Sequence, residues 1–92
     1  PLSELKIQLL HALLMENKPD SLEPSPYRSS QNLVYNGRTS SVAYVPPTAK
    51  EVPTLIKALL AWVHETNEIC PIVAGIAHFQ LISIHPFALG NG

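Results

Sequence analysis

With 92 residues against the roughly 150 of an average domain, the chain has room for one core at most. Apolar residues make up 46% and charged residues 14%, well under the roughly 25% charged of ordinary soluble domains, so some apolar surface is expected to meet another segment or chain. A net charge of -1 without a basic cluster excludes a nucleic-acid footprint, and the single cysteine, Cys70, excludes an intrachain disulfide or a paired-cysteine metal site.

Leu2, Leu5, Leu9, Leu10, Leu13 and Leu14 recur at helical spacing behind Ser3, a residue type that caps helices, which predicts an amphipathic helix over 2–17 with its leucines facing a core. Pro19, Pro24 and Pro26, mixed with serines, predict a loop over 19–32. The β-formers Val34, Tyr35, Val42, Tyr44 and Val45 flank Asn36-Gly37, a dipeptide suited to positive φ, so 33–45 reads as a hairpin with a tight turn. Thr48 and Glu51 have capping-box spacing ahead of an apolar stripe from Val52 to Val63. Pro53 would lack its N–H inside that helix, so the 48–66 segment is expected to open with a short turn and become regular at Val52-Pro53. Pro71 suits the first turn of a third helix over 71–85, apolar nearly all round and therefore expected at the buried centre. Ala74, Gly75 and Ala77 would let a neighbouring helix come close, and Pro86 should end the helix at His85. The run Ile69 to Gly92 is broken by His78, Gln80, Ser83, His85 and prolines, so neither a membrane span nor a secretion signal is expected, and a cytoplasmic setting fits.

The residues that carry chemistry close the chain: His85-Pro86-Phe87-Ala88-Leu89-Gly90-Asn91-Gly92. A neutral imidazole accepts a proton near pH 7, and glycines around an asparagine let successive backbone N–H groups converge on one anion. This stretch resembles the signature loop of the Fic (filamentation induced by cyclic AMP) domain family, HPFx[D/E]GN[G/K]R. Upstream, Tyr27-Arg28-Ser29-Ser30-Gln31-Asn32, Tyr44-Val45-Pro46-Pro47, Glu51-Val52-Pro53 and Ala77-His78-Phe79-Gln80 match family stretches in the same order.

The resemblance implies an all-α, Fic-like helical domain with a small β-hairpin flap, and transfer of AMP from ATP to a Ser, Thr or Tyr hydroxyl of a target protein. His85 would be the general base; Gly90, Asn91 and Gly92 would hold the nucleotide phosphates; Pro86 and Phe87 would anchor the loop. The flap residues Gly37, Val42, Ala43 and Tyr44 would take up a target segment as an added strand. Two departures stand out. Leu89 occupies the position of the family's acidic magnesium ligand and offers no oxygen to a hard cation. The family pattern also continues past Gly92 with an arginine and further core helices, which implies the first part of a longer domain. The inhibitory glutamate pattern [S/T]xxxE[G/N] is incomplete, since Glu16-Asn17 has Ala12 at the position of its Ser or Thr. A non-catalytic interaction module, or an enzyme moving UMP, phosphocholine or phosphate, are the alternatives, and a homodimer stays open.

Among the remaining residues, His78 is expected to pack or to support the loop, since it lies about 10 Å along the helix from His85 and cannot share a metal with it. His11 and His64 read as surface or helix-edge residues and Arg28 as a loop anchor. Trp62, Tyr27, Tyr35, Tyr44 and Phe79 lack the interleaved cations of a base-stacking array, and Cys70 has no neighbour to activate it.

Overall fold

Ser3 sets the first boundary. Its hydroxyl accepts the Lys6 N–H at 3.2 Å and its carbonyl accepts the Ile7 N–H at 3.1 Å, so helix α1 (Glu4–Glu16) starts directly behind a working cap. The computed structural model describes residues 2–16 and 22–91. Asn17, the expected end of this helix, and residues 19–21 of the loop lie outside them. Ile7 and Ala12 are the buried residues of α1, whereas Leu2, Leu5, Leu10, Leu13 and Leu14 are exposed and Leu9 is half-buried. This corrects the expectation that the leucines face the core. The helix is covered on one side only, and Leu10 and Leu14 line an open groove.

Strands β1 (Val34–Tyr35) and β2 (Val42–Tyr44) pair antiparallel, Val34 with Tyr44 and Tyr35 with Val42, leaving Ala43 as a bulge. The turn is wider than an Asn-Gly turn. The Asn36 side chain accepts the Arg38 N–H at 2.9 Å, its carbonyl accepts the Ser40 N–H at 2.9 Å, and its N–H donates to Ser41 O at 2.7 Å. The positive φ therefore falls on Ser40, at 57°, and not on Asn36 or Gly37.

A 3₁₀ turn (Ala49–Glu51) leads into α2 (Val52–Glu65), with Pro53 in its first turn, where a missing N–H costs nothing. The capping-box pair takes another form: the Thr48 hydroxyl donates to the Glu51 carboxylate at 2.9 Å, and the Thr48 carbonyl accepts the Glu51 N–H at 3.0 Å. Helix α3 (Cys70–Ile84) follows, with Pro71 in its first turn. Ile7, Val52, Ile56, Leu60, Ile84 and Phe87 form the core, drawn from all three helices and the loop beyond them.

Helix α3 departs most from expectation. Ile84 is its one buried residue, while Ile72, Ile76, Phe79 and Ile82 are exposed. An apolar helix needs neighbours all round, and among the described residues α2 is the helix packed on it. A Cβ built at Gly75 would meet nothing within 4 Å, so the small-residue face has no close partner here.

Candidate active site

The site begins where α3 fails to continue. Proline at 86 disfavours helical backbone at His85, which turns into the left-handed region at φ 53° and ψ 62° while its N–H still closes the last turn on Leu81 O at 3.1 Å. A residue with a side chain is strained there by about 1 kcal/mol or more, so its surroundings must hold it.

Arg28 does so. Buried beneath the helix end, it donates through Nε to His85 O at 2.5 Å, through Nη2 to Ile84 O at 3.2 Å and to Pro47 O, and through Nη1 to Ser30 O at 3.2 Å. Its backbone N–H donates to Pro86 O at 2.7 Å. The last carbonyls of a helix have no partner within it, so one planar guanidinium caps α3 and fastens it to the segment that follows the hairpin. Burial first, and then the Arg28 charge, push the His85 imidazole below its ordinary value of 6.5. At neutral pH it is unprotonated and able to accept a proton.

Beyond His85 the loop is held by its own side chains. Pro86 and Phe87 are buried, and the Phe87 ring stacks on His11 with centroids 3.8 Å apart and 14° between planes. Tyr27 tilts against the same ring at 5.9 Å. Its hydroxyl donates to the Glu4 carboxylate at 2.8 Å, and burial together with that carboxylate raises the phenol above its ordinary 10, so it stays a donor. The Asn91 side chain accepts the Phe87 N–H at 2.7 Å and donates to Phe87 O at 2.7 Å. Asn32 donates to Phe87 O at 3.3 Å and Ala88 O at 3.2 Å from outside the loop. These two bonds close the loop on itself from Phe87 to Asn91.

Backbone conformation favours glycine at position 90, and α1 packs close to it. Its φ is 71°, and an added Cβ would lie 2.6 Å from Met15 Sδ and 3.2 Å from His11 Nε2.

A pocket of about 530 Å³ lies on one side of this loop, lined by Gln31, Asn32, Leu33 and Tyr35 and by His85 and Ala88 to Asn91. It brings His85, Gly90 and Asn91 together; Gly92 lies outside the described residues. None of Gly37, Val42, Ala43 and Tyr44 lines it. Those four are exposed, and the Tyr44 hydroxyl instead donates to Ser83 O at 2.7 Å, tying β2 to the last turn of α3. The hairpin meets the pocket through β1 and the residue before it. Leu89 is 70% exposed on the pocket rim. It presents methyl groups where the family pattern has a carboxylate, and no group of three His, Cys, Asp or Glu able to hold a metal occurs among the described residues. These residues do not fit a magnesium site of the family type.

An apolar groove of about 450 Å³ runs between α1, α2 and α3, and His11 and the exposed His78 both border it. The site residues that sequence reasoning missed are Asn32, Leu33, Tyr35 and His11. The first two belong to or adjoin the matched Tyr27–Asn32 stretch. For His11 no local pattern marked it, because its partners lie 14 and 78 residues away.

A helical domain with a small hairpin brings a left-handed histidine and a glycine loop to one pocket. The chain belongs to the Fic/DOC family, whose pattern it matches over residues 1–92. It is 33% identical over 76 residues to a protein adenylyltransferase Fic of Drosophila grimshawi and 34% identical over 86 residues to the protein adenylyltransferase fic-1 of Caenorhabditis elegans, matches covering 79% and 90% of this chain. They cover 14% and 15% of those two proteins, so the chain spans a small part of these curated relatives. A crystal structure of a Fic family protein from Desulfovibrio desulfuricans G20 superposes with a TM-score of 0.79 at 36% identity, over 97% of this chain and 26% of that one. A Fic domain containing signaling protein from Bacteroides thetaiotaomicron VPI-5482 does so with a TM-score of 0.77 at 26% identity, over 99% and 34%.

Proposed function

We propose that this chain contributes the base and the phosphate-binding loop of a protein adenylyltransferase, which moves AMP from ATP to a Ser, Thr or Tyr hydroxyl of another protein. The observation that carries the reading is the unprotonated His85 on the wall of the same pocket as Gly90 and Asn91. Support comes also from the relatives, which are named adenylyltransferases. In this reading His85 takes the hydroxyl proton as the oxygen attacks the α-phosphorus. The bond from that phosphorus to the bridging oxygen breaks, and pyrophosphate leaves. Backbone N–H groups of the Gly90–Gly92 stretch offset the charge that gathers on the phosphates. The free edge of β1 lies beside the pocket and offers N–H and C=O groups to an extended target segment.

Leu89 favours a second reading, a Fic-like module that binds without transferring, because position 89 offers no carboxylate to magnesium. Incorporation of labelled AMP by the full-length protein, with Leu89 compared with Leu89→Asp in magnesium, separates the two. Transfer by both supports the first reading with the loop as it stands. Transfer by the Asp variant alone identifies a latent enzyme that lost its metal ligand. No transfer by either rejects the adenylyltransferase reading and directs the search to another donor or to a binding role.

A further inference from the structure

His11 lies on α1, far from the signature loop in sequence, yet three observations tie it to that loop. Its ring stacks on Phe87, its Nε2 lies 2.6 Å from the Leu89 carbonyl oxygen, and its Nδ1 lies 2.7 Å from the Ser25 hydroxyl. A carbonyl only accepts, so Nε2 carries the proton, and the Ser25 hydroxyl can donate to Nδ1 in return. The Leu89–Gly90 peptide is planar and trans, which makes the Gly90 N–H point opposite to the Leu89 C=O. His11 borders the apolar groove, His85 lines the pocket, and Gly90 lines both. Holding the carbonyl toward α1 therefore points the Gly90 amide away from α1. Among the described residues the Gly90 N–H has no hydrogen-bond acceptor.

We propose that His11 is a positioning residue of the anion site: it grips the Leu89 carbonyl from α1 and thereby aims the Gly90 amide at the phosphate of the bound nucleotide. The proposal rests on the transfer reading above for the identity of the ligand, not for the geometry of the grip. It assigns different work to the two ring nitrogens. A glutamine amide reaches about where Nε2 stands and an asparagine amide about where Nδ1 stands. His11→Gln keeps the bond to Leu89, and His11→Asn keeps at most the bond to Ser25.

The test measures kcat and KM for ATP in AMP transfer by the full-length protein, alongside the amide ¹H–¹⁵N shifts of Gly90 and Asn91 and the imidazole ¹⁵N spectrum of His11. In His11→Asn the KM for ATP should rise about tenfold, and His11→Gln should restore it to within about threefold of the parent. The parent's spectrum should show the proton on Nε2. Equal KM values for the Asn and Gln variants overturn the proposal, as does a fall in kcat at constant KM, the signature of fewer folded molecules. A proton on Nδ1 with Nε2 bare also overturns it. If the parent transfers no AMP, the transfer reading fails, and His11 is judged on the amide shifts alone. Shifts that move in the Asn variant and return in the Gln variant support it, and shifts that stay put in both reject it.

Discussion

The two ends of α3 are built differently. At its C-terminal end Ile84 is buried, Arg28 caps three successive carbonyl groups from Ile84 to Pro86, and Phe87 sits between His11 and Tyr27. Along the rest of the helix Ile72, Ile76, Phe79 and Ile82 stand exposed. The site end is thus held by groups within these residues, and the body of the helix is not. Fixing the loop needs a few polar bonds to the right carbonyls, whereas covering an apolar helix needs whole neighbouring elements.

The sharpest way to break the contrast is to remove the base. His85→Ala in the full-length protein should lower AMP transfer by about 10²-fold or more with little change in melting temperature, and retained transfer would reject the general-base role. Next comes the cap. Arg28→Met should destabilise by about 3 kcal/mol in urea denaturation, because buried carbonyls lose a charged donor, with Arg28→Lys falling between it and the parent. Arg28 also lowers the His85 pKa, so in Arg28→Lys, which keeps a charge, the acid limb of the transfer profile should move less than in Arg28→Met, where it shifts to higher pH. In the parent, the unfolded chain takes up the His85 proton before the folded one. This contribution to stability is complete above pH 6.5 and declines as pH falls through 6.5 toward the lower folded value, which denaturation at pH 7.5 and 5.5 should register.

Asn91→Ala should cost about 1–2 kcal/mol, since it deletes both bonds to Phe87 and frees the loop. The smallest effect belongs to the open body of α3. Phe79→Ser in the 92-residue chain should stay within about 0.5 kcal/mol of the parent, and a loss of 2 kcal/mol would mean that the exposed face is already covered.

The helices and the hairpin were legible because each is written in local chemistry: Ser3 as a cap, proline at 53 and 71 in first turns, β-formers on both sides of Asn36-Gly37. The turn was misread because the Asn36 side chain competes for backbone N–H groups in a way that dipeptide preference does not capture. An all-round apolar α3 states what a whole domain would bury, and within these residues that face stands exposed. Of the site, the loop motif drew attention to His85, Gly90 and Asn91. Arg28 was read as an anchor, but its carbonyl partners could not be named, since nothing local links position 28 to positions 84–86. Of the hairpin, Leu33 and Tyr35 line the pocket, whereas Gly37, Val42, Ala43 and Tyr44, singled out by the family resemblance, do not.

The bonds that tie the signature loop to the rest of the chain join residues 55 to 78 positions apart. Closing loops of that length is entropically expensive and comes late in folding, after local helices and hairpins have begun to form. A growing chain therefore has no fastened loop until Asn91 has been made and α1 has come back to meet it. In refolding, helical signal should return before nucleotide binding, and the lag between them would time the docking of first helix on last loop.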